Sequence, residues 1–64
     1  MNRIKEIRKS KKITLQDLSD NTGLSIGYLN HLERGTRGNP TITTMNKIAK
    51  ALNETVEKIF LNKN

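Results

Sequence analysis

Residues 13–35 read ITLQDLSDNTGLSIGYLNHLERG, and the spacing inside this stretch decides what the chain can build. Twice an apolar residue precedes a Thr or Ser, which is followed by an apolar residue and, three positions on, by another. The two runs are Ile13-Thr14-Leu15 with Leu18, and Leu24-Ser25-Ile26 with Leu29. A hydroxyl at that position is a helix N-cap, because its oxygen accepts from one of the backbone N–H groups that a first turn leaves unpaired. Ile13 with Leu18 and Leu24 with Leu29 have the spacing of hydrophobic staples, and Thr14 with Asp17 approximates a capping box. Gly23 and Gly35 stand where the two helices should stop, and glycine takes the left-handed conformation of a helix end at least cost.

The same signal recurs further along, at Pro40-Thr41-Ile42 with Met45 and at Glu54-Thr55-Val56 with Ile59. Glu54 breaks the staple of the last one, and Asn53 supplies the stop before it. Ahead of residue 13, Asn2 to about Lys11 reads as an opening helix with Ile4 and Ile7 turned inward. No glycine ends it, so Lys11 or Lys12 must take the turn. Five short helices result, at residues 2–11, 15–22, 26–34, 42–52 and 56–62, with no strand-like alternation. The expected fold class is therefore all-α. Ile4, Ile7, Leu15, Leu18, Leu29, Leu32, Ile42, Met45, Ile48, Ala49, Leu52, Val56, Ile59 and Phe60 follow helical spacing and form the expected core. Burial of each large side chain contributes on the order of 1.5–3 kcal/mol, nearly offset by chain entropy, so stability should be modest.

The chain has 64 residues and no cysteine, which suits one domain, 1–64, held by apolar packing without disulfides or a thiolate metal site. No apolar run approaches the length of a membrane span, and a soluble, intracellular protein is expected. The net charge of +6 points to an acidic partner. Its distribution is uneven. Residues 1–12 carry Arg3, Lys5, Arg8, Lys9, Lys11 and Lys12 against Glu6 alone, and residues 34–50 carry Arg34, Arg37, Lys47 and Lys50 against no acid. Residues 13–33 contain Asp17, Asp20 and Glu33 and no Lys or Arg. Catalysis has no footing here: there is one His, Asp17 and Asp20 lie three apart, and the glycines form no phosphate loop. No enzyme, metal or cofactor is expected.

Two consecutive capped helices joined through Thr22-Gly23-Leu24 have the length and turn chemistry of a helix-turn-helix, at about residues 14–34. The run from Ile13 to Gly35, followed by Asn39-Pro40-Thr41-Ile42 and Ile48 to Leu52, resembles the XRE family, the Cro and phage-repressor type of bacterial regulators. The resemblance rests on Thr14, Leu18, Gly23, Leu29, Glu33, Gly35 and Pro40 at fixed spacing, and SinR-like members are most similar at Tyr28-Leu29 and Leu32-Glu33-Arg34. It implies a compact, five-helix, lambda-repressor-like DNA-binding domain, cytoplasmic, and bacterial or encoded by a phage or mobile element. The implied function is a sequence-specific transcriptional regulator, a repressor that binds a palindromic double-stranded DNA operator as a homodimer. A rival reading is an antitoxin-like or antirepressor-like module whose helix-turn-helix docks a regulatory protein partner. Membrane association is not expected, because no helix joins a broad apolar face to the basic residues.

Carried over residue by residue, the resemblance makes the helix from Ile26 the recognition helix, whose N-terminal part enters the major groove. Its outer face presents Ser25, Ile26, Gly27, Tyr28, Asn30 and His31 to base edges, with Arg34 toward the backbone. Ile26 suits a thymine methyl, Asn30 and His31 offer donors or acceptors, and a glycine at position 27 lets the backbone approach closely. Each has a plainer reading: Ile26 against a neighbouring helix, Tyr28 closing the core, His31 solvated, Gly27 merely tolerated. Phosphate contacts are implied for Lys11, Lys12, Gln16, Arg37, Gly38, Asn39, Thr41, Thr43, Thr44 and Lys47. Many family members carry a phosphate-binding Gln immediately after the cap, where this chain has Leu15. Arg8 and Glu33 match a family ion pair joining the first helix to the recognition helix, and Val56, Ile59, Phe60 and Leu61 are the implied dimer surface.

Overall fold

Each of the four capping signals opens a helix. The computed structural model describes residues 2–35 and 40–61. It contains α1 (Ile4–Ser10), α2 (Leu15–Thr22), α3 (Ile26–Arg34), α4 (Ile42–Leu52) and α5 (Val56–Phe60), with no strand among the described residues. Thr14 Oγ1 accepts from the Asp17 N–H at 3.0 Å while the Thr14 N–H donates to Asp17 Oδ2 at 3.1 Å, a complete capping box. Ser25, Thr41 and Thr55 cap α3, α4 and α5 in the same way, each accepting from the backbone N–H three residues on at 3.1 Å. Thr55 does so although Glu54 stands in the staple position, so the hydroxyl suffices there.

The stops also follow local chemistry. Gly23 and Gly35 are left-handed, with φ of 77° and 71°. At the end of α1 the turn falls on Lys12, with φ of 58°: the Ile13 N–H returns to the Arg8 carbonyl at 2.9 Å and the Lys12 N–H to the Lys9 carbonyl at 3.1 Å. This is the paired 6→1 and 5→2 bonding of a Schellman end, built with lysine in the place glycine usually takes. Asn53, with φ of 57°, closes α4 by the same pattern, the Glu54 N–H reaching Ala49 at 2.9 Å.

The first helix begins at Ile4, two residues later than the sequence suggested. The groups of Asn2 and Arg3 that would start it are used elsewhere: Asn2 Nδ2 donates to the Leu32 carbonyl at 2.8 Å, and the Arg3 N–H donates to the Ile59 carbonyl at 2.9 Å. Asn2 Oδ1 then accepts from the Ile4 N–H at 3.1 Å. These bonds hold the start of the chain to the ends of α3 and α5. The last helix ends at Phe60 rather than residue 62, of which nothing is described.

Ile4, Ile7, Leu18, Leu29, Leu32, Ile48, Ala49, Leu52 and Ile59 form one buried core, with Ile13, Leu15, Leu24, Tyr28, Ala51, Val56 and Phe60 packed around it. α2 lies at the centre, against both α3 and α4, while α5 packs against α4 and α1. Two sequence expectations need correction. Ile42, assigned to the core, is 66% exposed at the first position of α4. Ile59, assigned by its spacing to the core and by the resemblance also to a dimer surface, is fully buried and belongs to the core alone.

A buried ion pair crosses this arrangement. Arg8 Nε donates to Glu33 Oε2 at 2.7 Å and Arg8 Nη2 to Glu33 Oε1 at 3.2 Å, with side chains 12% and 4% exposed. Arg8 Nη1 adds a bond to the Ile13 carbonyl at 2.9 Å. Replacing Glu33 with Ala would leave a guanidinium desolvated without a counter-charge. We expect Glu33→Ala to lose about 3–5 kcal/mol of unfolding free energy in chemical denaturation, most of what so small a domain has. A second substitution probes the interhelical turn. Thr22 Oγ1 donates to the Leu18 carbonyl at 2.7 Å and accepts from the Leu24 N–H at 3.1 Å. Thr22→Val keeps the shape and strands that N–H, and the expected loss is about 1–3 kcal/mol, read from the same denaturation curves.

Candidate nucleic-acid interface

The turn between α2 and α3 is fixed by side chains that the sequence reading did not single out. Beside the two Thr22 bonds, Ser19 Oγ donates to the Leu24 carbonyl at 2.6 Å. Gly23 reverses the chain, and Ser25 then caps α3. The register of α3 on α2 is thereby set by two hydroxyls, a left-handed glycine and the inward leucines Leu29 and Leu32. A local signal for Thr22 was present, since Thr at a helix end before Gly is well placed to bond back into the last turn. Its second bond, to Leu24, depends on the turn already being formed.

With Leu29 and Leu32 buried, α3 exposes Ser25, Ile26, Gly27, Asn30, His31 and Arg34 along its outer side. This is the set expected on the recognition face, with one exception. Tyr28 is only half exposed and packs against the core, so its ring is part of the fold. The Ser25 hydroxyl accepts from the Tyr28 N–H and retains its own proton to donate outward. His31 and Arg34 occupy the last turn, where positive charge is favoured by the helix dipole. Gly27 lies in open space: a Cβ built there meets nothing within 4 Å, and its φ is not in the left-handed region. The fold therefore does not require glycine at this position.

The expected phosphate-contact residues divide into three groups. Lys12, Thr43 and Lys47 are exposed. Lys47 shares a shallow hollow with Asn21, Lys50 and Ala51, where α4 faces the end of α2. Thr41 and Thr44 are bonded at the start of α4, the Thr41 hydroxyl accepting from the Thr44 N–H and donating to Thr44 Oγ1 at 3.2 Å. Gln16 Nε2 donates to Asp20 Oδ1 at 2.9 Å along the exposed side of α2. Arg37, Gly38 and Asn39 lie outside the described residues.

Lys11, also expected at phosphate, is engaged within the fold. Its Nζ donates to the Leu52 carbonyl at 2.7 Å and pairs with Glu54 Oε2 at 3.1 Å, so its ammonium group caps the end of α4. A partner 41 residues away in sequence leaves no local trace. The bond from Lys11 holds the Glu54 carboxyl below the usual carboxylate range, against its partial desolvation, with further help from the charges of Lys11 and Lys58. The Arg3 guanidinium holds Glu6 low in the same way. Glu33 faces Arg8, and Asp17 completes the capping box. Glu6, Asp17, Glu33 and Glu54 are thus engaged in holding the fold, while residues 34–50 carry base and no acid. Among the described residues no cluster of His, Asp and Glu could hold a metal ion, and no helix is long and apolar enough to cross a membrane.

Comparison with known proteins gives this arrangement a lineage. A helix-turn-helix family profile matches residues 4–59. The transcriptional regulator SinR of Bacillus subtilis is 33% identical over 58 residues, covering 91% of this chain and 52% of SinR. The immunity repressor protein of Bacillus phage phi105 is 42% identical over 57 residues, covering 89% of this chain and 39% of the repressor. The chain therefore spans about half the length, or less, of these relatives. Among solved structures, the N-terminal DNA-binding domain of SinR from Bacillus subtilis superposes with a TM-score of 0.84 at 32% identity, over 97% of this chain and 88% of that one. With α2 to α5 each capped by a hydroxyl, a two-hydroxyl turn between α2 and α3, an outward polar face on α3 and these matches, this chain belongs to the XRE-type helix-turn-helix family.

Proposed function

We propose that this chain is a repressor that reads a palindromic double-stranded operator as a homodimer, with α3 in the major groove of each half-site. The observation that carries the reading is the α3 face itself: polar groups at Ser25, Asn30, His31 and Arg34, held rigidly by the capped turn and followed by an acid-free basic segment. Ser25, Asn30 and His31 suit base edges, Tyr28 contributes a hydroxyl beside them, and Arg34 suits phosphate. Lys12, Gln16, Thr43 and Lys47, with Arg37, Gly38 and Asn39, supply the backbone contacts, and Thr41 and Thr44 hold the start of α4 against the strand. Names borne by the relatives, an immunity repressor and a transcriptional regulator, support repression as the outcome. Such a protein works where the genome lies, in the cytoplasm of a bacterium.

Lys12 strengthens the reading. A left-handed backbone is costly for lysine and nearly free for glycine, so the side chain there serves something other than the turn. Placed just ahead of α2, it suits a phosphate flanking the major groove.

For the dimer, Leu61 is 55% exposed and Ile42 is 66% exposed, and both line one groove between α4 and α5 with Val56 and Ala49. Val56, Phe60 and Leu61 remain the α5-side candidates, and Ile42 joins them in place of the buried Ile59. A second copy of the chain is the occupant, because two DNA half-sites related by a dyad require a self-complementary contact.

Selection of sites from random double-stranded DNA tests the function. We expect an enriched palindrome with half-sites about one helical turn apart, and an affinity that falls steeply as salt rises. Binding that weakens with salt yet enriches no sequence would refute specific recognition and favour a docking module for another protein. The dimer surface is tested separately with Ile42→Lys and Leu61→Lys. Each is expected to keep the melting temperature within a few degrees while the full operator is bound about tenfold or more weakly, as expected once coupling between half-sites is lost. Unchanged operator affinity in both variants would move the dimer contact elsewhere.

A further inference from the structure

Three large apolar side chains are prominently exposed among the described residues: Ile26, Ile42 and Leu61. Two of them share the α4–α5 groove. Ile26 does not; it is 40% exposed at the first position of α3, on a face whose other exposed members are polar or glycine. Neither capping nor core packing calls for an exposed isoleucine there, since Ser25 makes the cap and Leu29 and Leu32 make the core contacts. Gly27 follows it directly. That glycine has a helical, not left-handed, backbone and open space where its Cβ would be, so alanine would fit the free protein and favour the helix. An apolar side chain beside a stretch of bare backbone, at the leading end of α3, has a specific chemical counterpart in the major groove. It is the 5-methyl group of thymine, the one apolar feature a base pair presents there.

We propose that Ile26 reads a thymine 5-methyl in each half-site, and that Gly27 leaves the adjacent backbone bare so that Ile26 can reach it. The inference rests on the regulator reading and deepens it by assigning one base of the operator. Asn30 and His31, one turn further along α3, then face neighbouring base pairs through hydrogen bonds, while Ile26 supplies an apolar contact that no polar group on the face can replace. Other bases lack the methyl: cytosine presents an amino donor to the same region, and the desolvation of that donor against Ile26 disfavours it.

The test uses the operator recovered by selection, with each thymine replaced in turn by deoxyuridine. This removes only the 5-methyl and leaves every Watson–Crick and backbone group in place. Binding is measured by fluorescence anisotropy for the parent protein and for Ile26→Ala. We expect one thymine per half-site whose replacement weakens the parent about fourfold, the effect of losing one buried methyl, and leaves Ile26→Ala essentially unaffected. Because the change is made in the DNA, the parent measurement does not depend on any variant folding. If no thymine shows a methyl effect, or if the effect persists in full in Ile26→Ala, the contact is overturned while the regulator reading stands. If selection enriches no operator at all, the regulator reading falls and this assignment falls with it. Gly27→Ala supplies the second arm: its melting temperature is expected to equal or exceed that of the parent, and its operator affinity to drop about tenfold, the loss of a base contact. An alanine variant that binds as tightly as the parent overturns the close approach.

Discussion

One guanidinium ties together the parts that must hold their positions for α3 to present a fixed face. Arg8 leaves α1, grips both oxygens of Glu33 near the end of α3, and bonds the Ile13 carbonyl where the chain turns into α2. Lysine, with a single rotatable ammonium, could not make these contacts in fixed directions; the planar fork of arginine can. The Ile13 carbonyl is available to Arg8 because Lys12 takes the left-handed turn that brings the Ile13 N–H back over α1. The Schellman end and the ion pair are thus one construction. Asn2 extends it from the other side, bonding Leu32 one residue before Glu33. Every polar side chain buried in this construction has a partner, and the described residues hold no buried side-chain nitrogen or oxygen without one, which is the condition under which a buried charge can be tolerated in a core this small.

The same economy governs charge. A chain with twelve basic and six acidic residues could have scattered its acids over the surface, diluting the field. Here Glu33, Glu54 and Glu6 are each paired with an Arg or Lys, so their charges are largely compensated locally, while Asp17 accepts from the Thr14 N–H in the capping box. Beyond these pairs, positive charge remains on Lys5, Lys9 and Lys12 and along the segment from Arg34 to Lys50. Local pairing therefore does two things at once: it secures helix ends and it concentrates the field that attracts a polyanion.

Much of this was legible in the sequence because helix starts and stops are local events. Thr14, Ser25, Thr41 and Thr55 cap within three residues, Gly23, Gly35 and Asn53 stop within five, and the boundaries of α2, α3 and α4 were recovered to the residue. The pairing of Arg8 with Glu33 came only through family resemblance, since nothing in either residue's neighbourhood points to the other. What was missed lies at long range. Lys11 reads as one more surface base until its ammonium is seen over the end of α4, and Asn2 reads as helix until its amide is seen on Leu32. Helical spacing assigned both Ile59 and Ile42 to the core, rightly for Ile59 and wrongly for Ile42, because spacing shows that a residue shares a face with others but not whether another element covers that face; only the resemblance added Ile59 to a dimer surface. α5 packs against α4 and α1 with Ile59 buried, while Ile42, at the first position of α4, is left exposed.

The small core also explains why exposed apolar groups carry information here. Among the described residues nine buried apolar side chains offset the entropy of ordering the chain, and each additional buried leucine or isoleucine would contribute roughly 1.5–3 kcal/mol toward that end. In a large protein three exposed aliphatic side chains would need no comment. In this one, Ile26, Ile42 and Leu61 are a substantial fraction of the apolar surface available for stability, and a glycine inside α3 weakens the helix further. A domain so close to the limit gives up stability at those positions only where contacts outside the free chain restore it. For Ile42 and Leu61 the shared groove points to a second copy, and for Ile26 and Gly27 the recognition face points to DNA. On the proposed reading, contacts at these two places would add to the stability of the free chain, because whatever binds only the folded form stabilises it.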